Sequence, residues 1–120
     1  MLTGAMLGLL QQTGMDVIVL TEELDEREFF SSRITRMESL RLLGVMAYTA
    51  RDLPANVREQ LPEIDWPAWA ALPDALIRPN ERPLQIWVAA RELTPLTVQH
   101  LIDYRRVCPE LFSLAPHGRA

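Results

Sequence analysis

Apolar residues along this chain recur mostly at gaps of three and four, the repeat of helices with one covered face. The first segment admits two readings. "DVIVL" at Asp16 to Leu20 is short and β-branched, as a strand is. Yet Met6, Leu9, Leu10, Val17, Leu20 and Leu24 have helical gaps, which predicts a helix from about Leu2 to Leu24, weakened at Gly14. "DEREFFSS" then reads as an acidic turn carrying two phenylalanines. In the next segment Ser32 is a candidate cap. Ile34, Met37, Leu40, Val45, Met46, Ala50 and Leu53 form a broad apolar face opposite Arg33, Arg36, Arg41 and Arg51, and Pro54 ends the helix.

Beyond Pro54 lies a short helical turn, and Pro62 sets a linker. Asp65 can cap the following helix, with Trp66 and Pro67 in its first turn and Trp69, Leu72, Leu76 and Ile77 along it. Pro73 falls inside this helix at a cost of roughly 3 kcal/mol, so either the helix kinks at Leu72 or a second short one begins near Pro73. "NERPLQIWVAARELT" predicts another helix, with Leu84, Trp87, Val88 and Leu93 inward. A last one is capped by Thr94, takes Pro95 at its first position, and packs through Leu96, Leu101, Ile102 and Val107. The sum is an all-α antiparallel bundle of four to five helices: one domain over 1–114 and a frayed tail over 115–120.

Composition narrows the chemistry. A chain of 120 residues with 48% hydrophobic content can bury one core. At net charge −4 it has no overall positive field to attract nucleic acid, so any RNA contact needs a local basic patch. The single cysteine, Cys108, can form no intrachain disulfide, which fits a reducing cytoplasm; it reads as a buried or half-buried structural thiol. The apolar N-terminus lacks a basic start and is interrupted by "QQT" and Asp16, which makes it a core element rather than a signal or a membrane span. No glycine-rich phosphate loop, paired-cysteine metal site or serine elbow is present, and no cofactor is expected.

The order of features carries a resemblance. "LRLLGVMAYTARDLPANVREQLPEIDWPAWAAL" resembles the HepT-like branch of the HEPN superfamily, small helical proteins that pair with minimal nucleotidyltransferases in prokaryotic toxin–antitoxin systems. The best block is "PEIDW" at Pro62 to Trp66, where the family reads "PEIPW"; "LPANVR" before it and "LQIWVAARELTPL" after it also fit. The likeness spans about Thr21 to Tyr104 and implies a HEPN-type bundle and a homodimer whose motif segments face each other across the interface.

The family's "RNRLVHxY" run corresponds here to "PDALIRPN". Its arginine falls on Pro73, its histidine on Arg78 and its tyrosine on Asn80. Metal-independent RNA cleavage uses an imidazole to move protons near neutral pH and a cation to stabilise the phosphorane. Arg78 is permanently charged and cannot act as a base. Pro73 offers no charge, and Asn80 has no phenolic oxygen for a nucleotidyltransferase to modify. Upstream, the family's "IGEA" is replaced by "MAYT" at Met46 to Thr49.

These departures imply a non-cleaving member with no catalytic residues. It acts as a dimeric binding module for a nucleotidyltransferase or for RNA, with Arg78 and Arg82 as candidate phosphate contacts. Two alternatives stay open: a live ribonuclease rearranged around Arg78 and Asp74, and a helical interaction protein unrelated to RNA. Blander readings stand beside each residue. Arg78 and Arg82, and the strip Arg91, Arg105 and Arg106, read equally as solvated surface. Asp74 with Glu81 reads as a solvated loop rather than a metal site. His100 reads as a partly exposed structural histidine and Tyr48 as packing against the bundle; nothing local makes Tyr48 or Tyr104 a modification target, and Trp66, Trp69 and Trp87 read as core.

Overall fold

The computed structural model describes residues 3–113. Its helices are α1 (Thr3–Thr21), α2 (Glu26–Ser31), α3 (Arg33–Asp52), α4 (Ala55–Glu59), α5 (Trp66–Ile77), α6 (Pro83–Val88) and α7 (Thr94–Val107). A π-turn, Ala89–Leu93, joins α6 to α7, and a 3-10 turn, Pro109–Phe112, follows α7. The described residues contain no strand, and "DVIVL" lies within α1. The expected all-α bundle is what forms: α1, α3, α5 and α7 are its long members and the short helices its connections. Leu2 and the tail over 115–120 lie outside the described residues.

The core runs through Leu7, Leu10 and Val17 of α1, Leu43, Met46 and Ala47 of α3, Trp69 and Leu72 of α5, Ile86 of α6 and Leu101 of α7. Each buried large side chain contributes about 1.5–3 kcal/mol of apolar transfer. Gly14 is a crossing point rather than a weakness: a Cβ there would run into Val98 Cγ2 of α7 and lie 3.1 Å from Met46 Cε. Gly4 has the same role at the other end of α1, where a Cβ would collide with the Ser113 carbonyl.

Several local expectations are corrected. "DEREFFSS" is α2, not a turn. Asp25 accepts from the Glu28 N–H at 2.7 Å while Glu28 accepts from the Asp25 N–H at 3.1 Å, a reciprocal cap that stabilises a helix of six residues. Phe29 and Phe30 then pack on Trp87, with the Phe29 and Trp87 rings 5.1 Å apart. Ser32 precedes α3 but its hydroxyl makes no cap bond. The buried line of α3 is Ser39, Leu42, Leu43, Met46, Ala47 and Ala50, with Ile34 and Met37 left outside. Ser39, Ala47 and Ala50 share that line with Leu42, Leu43 and Met46 where α3 packs against α1 and α5, so hydrophobic size alone does not mark it.

α5 runs through Pro73 to Ile77, and no new helix starts at the proline. Pro73 has no N–H to give the Trp69 carbonyl, a loss offset by burial of Trp69, Leu72 and Ala75 around it. The two last predicted helices form one continuous helical backbone from Pro83 to Val107. Thr94 is inside it and does not cap: its N–H and its hydroxyl both donate to the Ala89 carbonyl, five residues back. Pro95 accounts for this, because its ring would press on the carbonyl four residues earlier, and one wider turn relieves the clash. The extra residue shifts the faces of α7 relative to α6, so Leu96 and Val107 point outward while Thr97 and Val98 are buried; in α6 itself Ile86 is buried and Leu84 and Val88 are exposed.

Candidate functional site

The segment between α5 and α6 is a tight turn. Arg78 ends α5 with φ −128° and ψ 64°, and the Glu81 N–H donates to its carbonyl at 3.0 Å. The turn folds the side chains of Asp74, Ile77, Arg78, Glu81 and Arg82 around a polar pocket of about 310 Å³. Arg78 Nη1 lies 3.8 Å from Glu81 Oε2, both largely exposed, so the pair contributes at most about 1 kcal/mol. Arg82 reaches Gln85 Oε1 at 3.5 Å. Pro73 is half-buried on α5 one turn before this pocket, and Asn80 is exposed on the turn.

Two guanidiniums and two carboxylates make the pocket nearly neutral. It can hold a phosphate oxygen against Arg78 or Arg82, but the carboxylates oppose that anion. No histidine is among its described lining residues, so no group there exchanges a proton readily near pH 7. Among the described residues no group of three or more His, Cys, Asp or Glu is placed to hold a metal ion.

The other candidate residues do not converge on this pocket. Arg91 donates to the Thr21 carbonyl at 3.0 Å and stacks over Trp87; Arg105 lies over the Phe112 ring at 4.9 Å; Arg106 lies 4.0 Å from Asp103. Each is engaged locally, so they are not a free basic strip. His100 is half-buried on α7 and Cys108 is half-buried at its end. Trp69 is core, and its indole N–H donates to Thr97 Oγ1 at 3.0 Å. The Trp66 indole N–H closes the link before α5 by donating to the Arg58 and Leu61 carbonyls, at 3.1 and 3.0 Å.

The two phenols differ. Tyr104 donates to Glu63 Oε1 and accepts from the Glu63 N–H at 3.3 Å, pinning "PEIDW" to α7. Burial, then the bond to Glu63, pushes its phenol above the ordinary value. Tyr48 does not pack into the bundle as expected. It is 43% exposed, with the Arg51 guanidinium 4.7 Å from its ring centre.

Tyr48 belongs to a feature that the sequence reading missed. An open groove of about 540 Å³ runs between α3 and the end of α5. Leu40, Arg41, Gly44, Val45, Tyr48, Thr49 and Asp52 line one wall and Leu76 and Ile77 the other. Ile77 is 71% exposed and lines both this groove and the arginine pocket, so the two adjoin. The available signal was an apolar face on α3 too wide for one contact line.

Among the described residues no helix is long and apolar enough to cross a membrane. No family model matches the chain, and no solved structure matches it. Two curated proteins of Methanocaldococcus jannaschii are similar over part of their length. "Putative RNase MJ0125" is 29% identical over 62 residues, 52% of this chain and 53% of that protein. "Putative RNase MJ1380" is 27% identical over 66 residues, 55% of this chain and 61% of that protein. The match thus spans between about half and three-fifths of each relative. Over that stretch the chain is similar to proteins named as RNases, on an all-α bundle with an arginine pocket at the end of α5.

Proposed function

We infer that the chain is a HepT-like member of the HEPN superfamily that does not cut RNA and acts as a dimeric binding module. A minimal nucleotidyltransferase is its protein partner in a toxin–antitoxin type of pair. The blocks around "PEIDW", the helical bundle and the RNase-named relatives support the kinship. The observation that carries the loss of cleavage is Arg78. It stands where the family's histidine falls, in a pocket whose titratable neighbours are the carboxylates of Asp74 and Glu81. General acid–base work on a ribose hydroxyl and its leaving oxygen needs a group that both accepts and gives a proton near pH 7, and a guanidinium does neither. The near-neutral pocket and the net charge of −4 favour a protein partner over tight RNA binding. Asp74 and Arg78 do share the pocket, and a ribonuclease rearranged around them is the second reading.

The test compares RNA cleavage by the native protein with that of the combined variant Pro73→Arg, Arg78→His, Asn80→Tyr. The expected result is cleavage by the variant alone. Cleavage by the native chain overturns the non-cleaving reading, and its loss in Asp74→Asn would then support the rearranged site. Co-purification with a nucleotidyltransferase encoded beside it tests the partner, and its absence from the purified complex counts against the toxin–antitoxin role.

A further inference from the structure

We propose that a hollow between α5 and the π-turn is a binding site for a small organic cation, an amine with an apolar body. The hollow shares no lining residue with the arginine pocket, and the proposal goes beyond the HepT-like reading without depending on it.

The hollow has a cause in the sequence. The Trp69 indole reaches from α5 to Thr97 Oγ1 of α7 and sets the spacing of the two helices. Alanines stand on both sides of the gap that this spacing leaves, Ala68 and Ala71 on α5 and Ala89 at the start of the π-turn, and a methyl group is too short to fill it. α5 packs closely on α3 and α6 but only loosely on the π-turn and α7. What remains is a cavity of about 310 Å³, at the small end of the range of ligand sites. Buried Leu72 and Ala89 form its floor. The wide turn before Pro95 brings Leu96 outward onto its wall, 54% exposed, instead of into the core. Such wide turns inside helices recur at functional sites.

The charged groups decide what the hollow can hold. Asp65 and Glu92 place carboxylates on its lining, and no arginine, lysine or histidine is among the described lining residues. Arg82 touches Gln85 at one end but lines the arginine pocket, not this one. Neither carboxylate belongs to an ion pair among the described residues. Asp65 uses Oδ1 to cap α5, which leaves Oδ2 for a ligand. An anion is opposed by both carboxylates and by the net charge of −4. A neutral apolar molecule fits the floor but gains nothing from the carboxylates. An ammonium carrying a hydrocarbon or aromatic body uses both: the body covers Leu72, Ala89 and Leu96, and the charge meets Asp65 or Glu92. A docking helix needs a longer groove for its spaced anchors, whereas this hollow spans only about two turns of α5, Asp65 to Leu72.

The test is a titration of the isotope-labelled full chain with phenethylammonium and with its anionic counterpart hydrocinnamate, followed by amide NMR shifts. The amine is expected to saturate below about 10 mM, the strength a fragment of its size reaches, with shifts centred on Ala68, Ala71, Val88 and Glu92. Hydrocinnamate should bind at least about tenfold more weakly. The combined variant Asp65→Asn, Glu92→Gln should bring the two ligands within about threefold of each other, and asparagine keeps the cap of α5. Ala71→Leu puts a longer side chain into the hollow and should lose amine binding. Ala71 is exposed and leucine is a good helix former, so this variant keeps the fold, which circular dichroism checks. A native chain that shows no saturation, that binds both ligands equally, or that still binds the amine as Ala71→Leu overturns the proposal. So does a lysine–leucine helical peptide that shifts the same residues when the amine does not, because the hollow would then belong to a protein partner. None of these results bears on RNA cleavage or on a nucleotidyltransferase partner, so the two readings fail separately.

Discussion

A methyl group at position 14 has nowhere to go, because Val98 of α7 already fills the space beside Gly14. Gly14→Ala should destabilise the protein by about 1–3 kcal/mol despite alanine's better helix propensity, read as a lower midpoint in thermal or urea unfolding. Tyr104 allows a test by pH. Its phenol is raised above 10.0 chiefly by burial, so the fold favours the neutral, donating form. The stability this gives is fully present below pH 10 and is lost as the pH climbs through the folded value. Melting midpoints of the native protein should therefore drop as the pH rises above 10.0 by more than those of Tyr104→Phe, which should start lower. At this scale the sequence was readable where the cause is local. Asp65 caps α5 by accepting from the Ala68 N–H at 3.0 Å, three residues away. Tyr104 and Glu63 lie 41 positions apart, and nothing along the chain announces that they touch.

At the scale of the element, Trp69 and Thr97 tie α5 to α7 in a buried, polar contact. Thr97→Val keeps the volume but strands the indole N–H, and a cost of about 1–3 kcal/mol is expected in chemical denaturation. The long helices were legible because period and proline agree on their ends: α3 stops before Pro54 as expected. What escaped was the face each helix buries. On α3 the covered line uses Ser39, Ala47 and Ala50, which carry little hydrophobic signal. Across Pro95 the π-turn adds a residue, so a 3.6-residue period counted from Pro83 drifts out of phase before Leu96. The arginine pocket was anticipated as a pair, Arg78 and Arg82, but its two balancing carboxylates become part of it only when the turn closes.

At the scale of the molecule, α1 packs against α3, α7 and the closing 3-10 turn, so its cover comes from sequence-distant parts of the chain. Phe112, beneath the Arg105 guanidinium, is a buried piece of that cover. Phe112→Ala should cost about 3 kcal/mol or more, and hydrogen exchange should show the amides near Gly4 and Met6 losing protection before those of α3. The contact between Gly4 and Ser113 also imposes a schedule on the growing chain. At roughly 5–20 residues per second, the first turns of α1 are synthesised about five to twenty seconds before the turn that covers them. For that interval Met6, Leu7 and Leu10 are sticky surface rather than core. α1 is thus made well before the turn that shields its first residues, and aggregation of the nascent chain is most favoured in that interval.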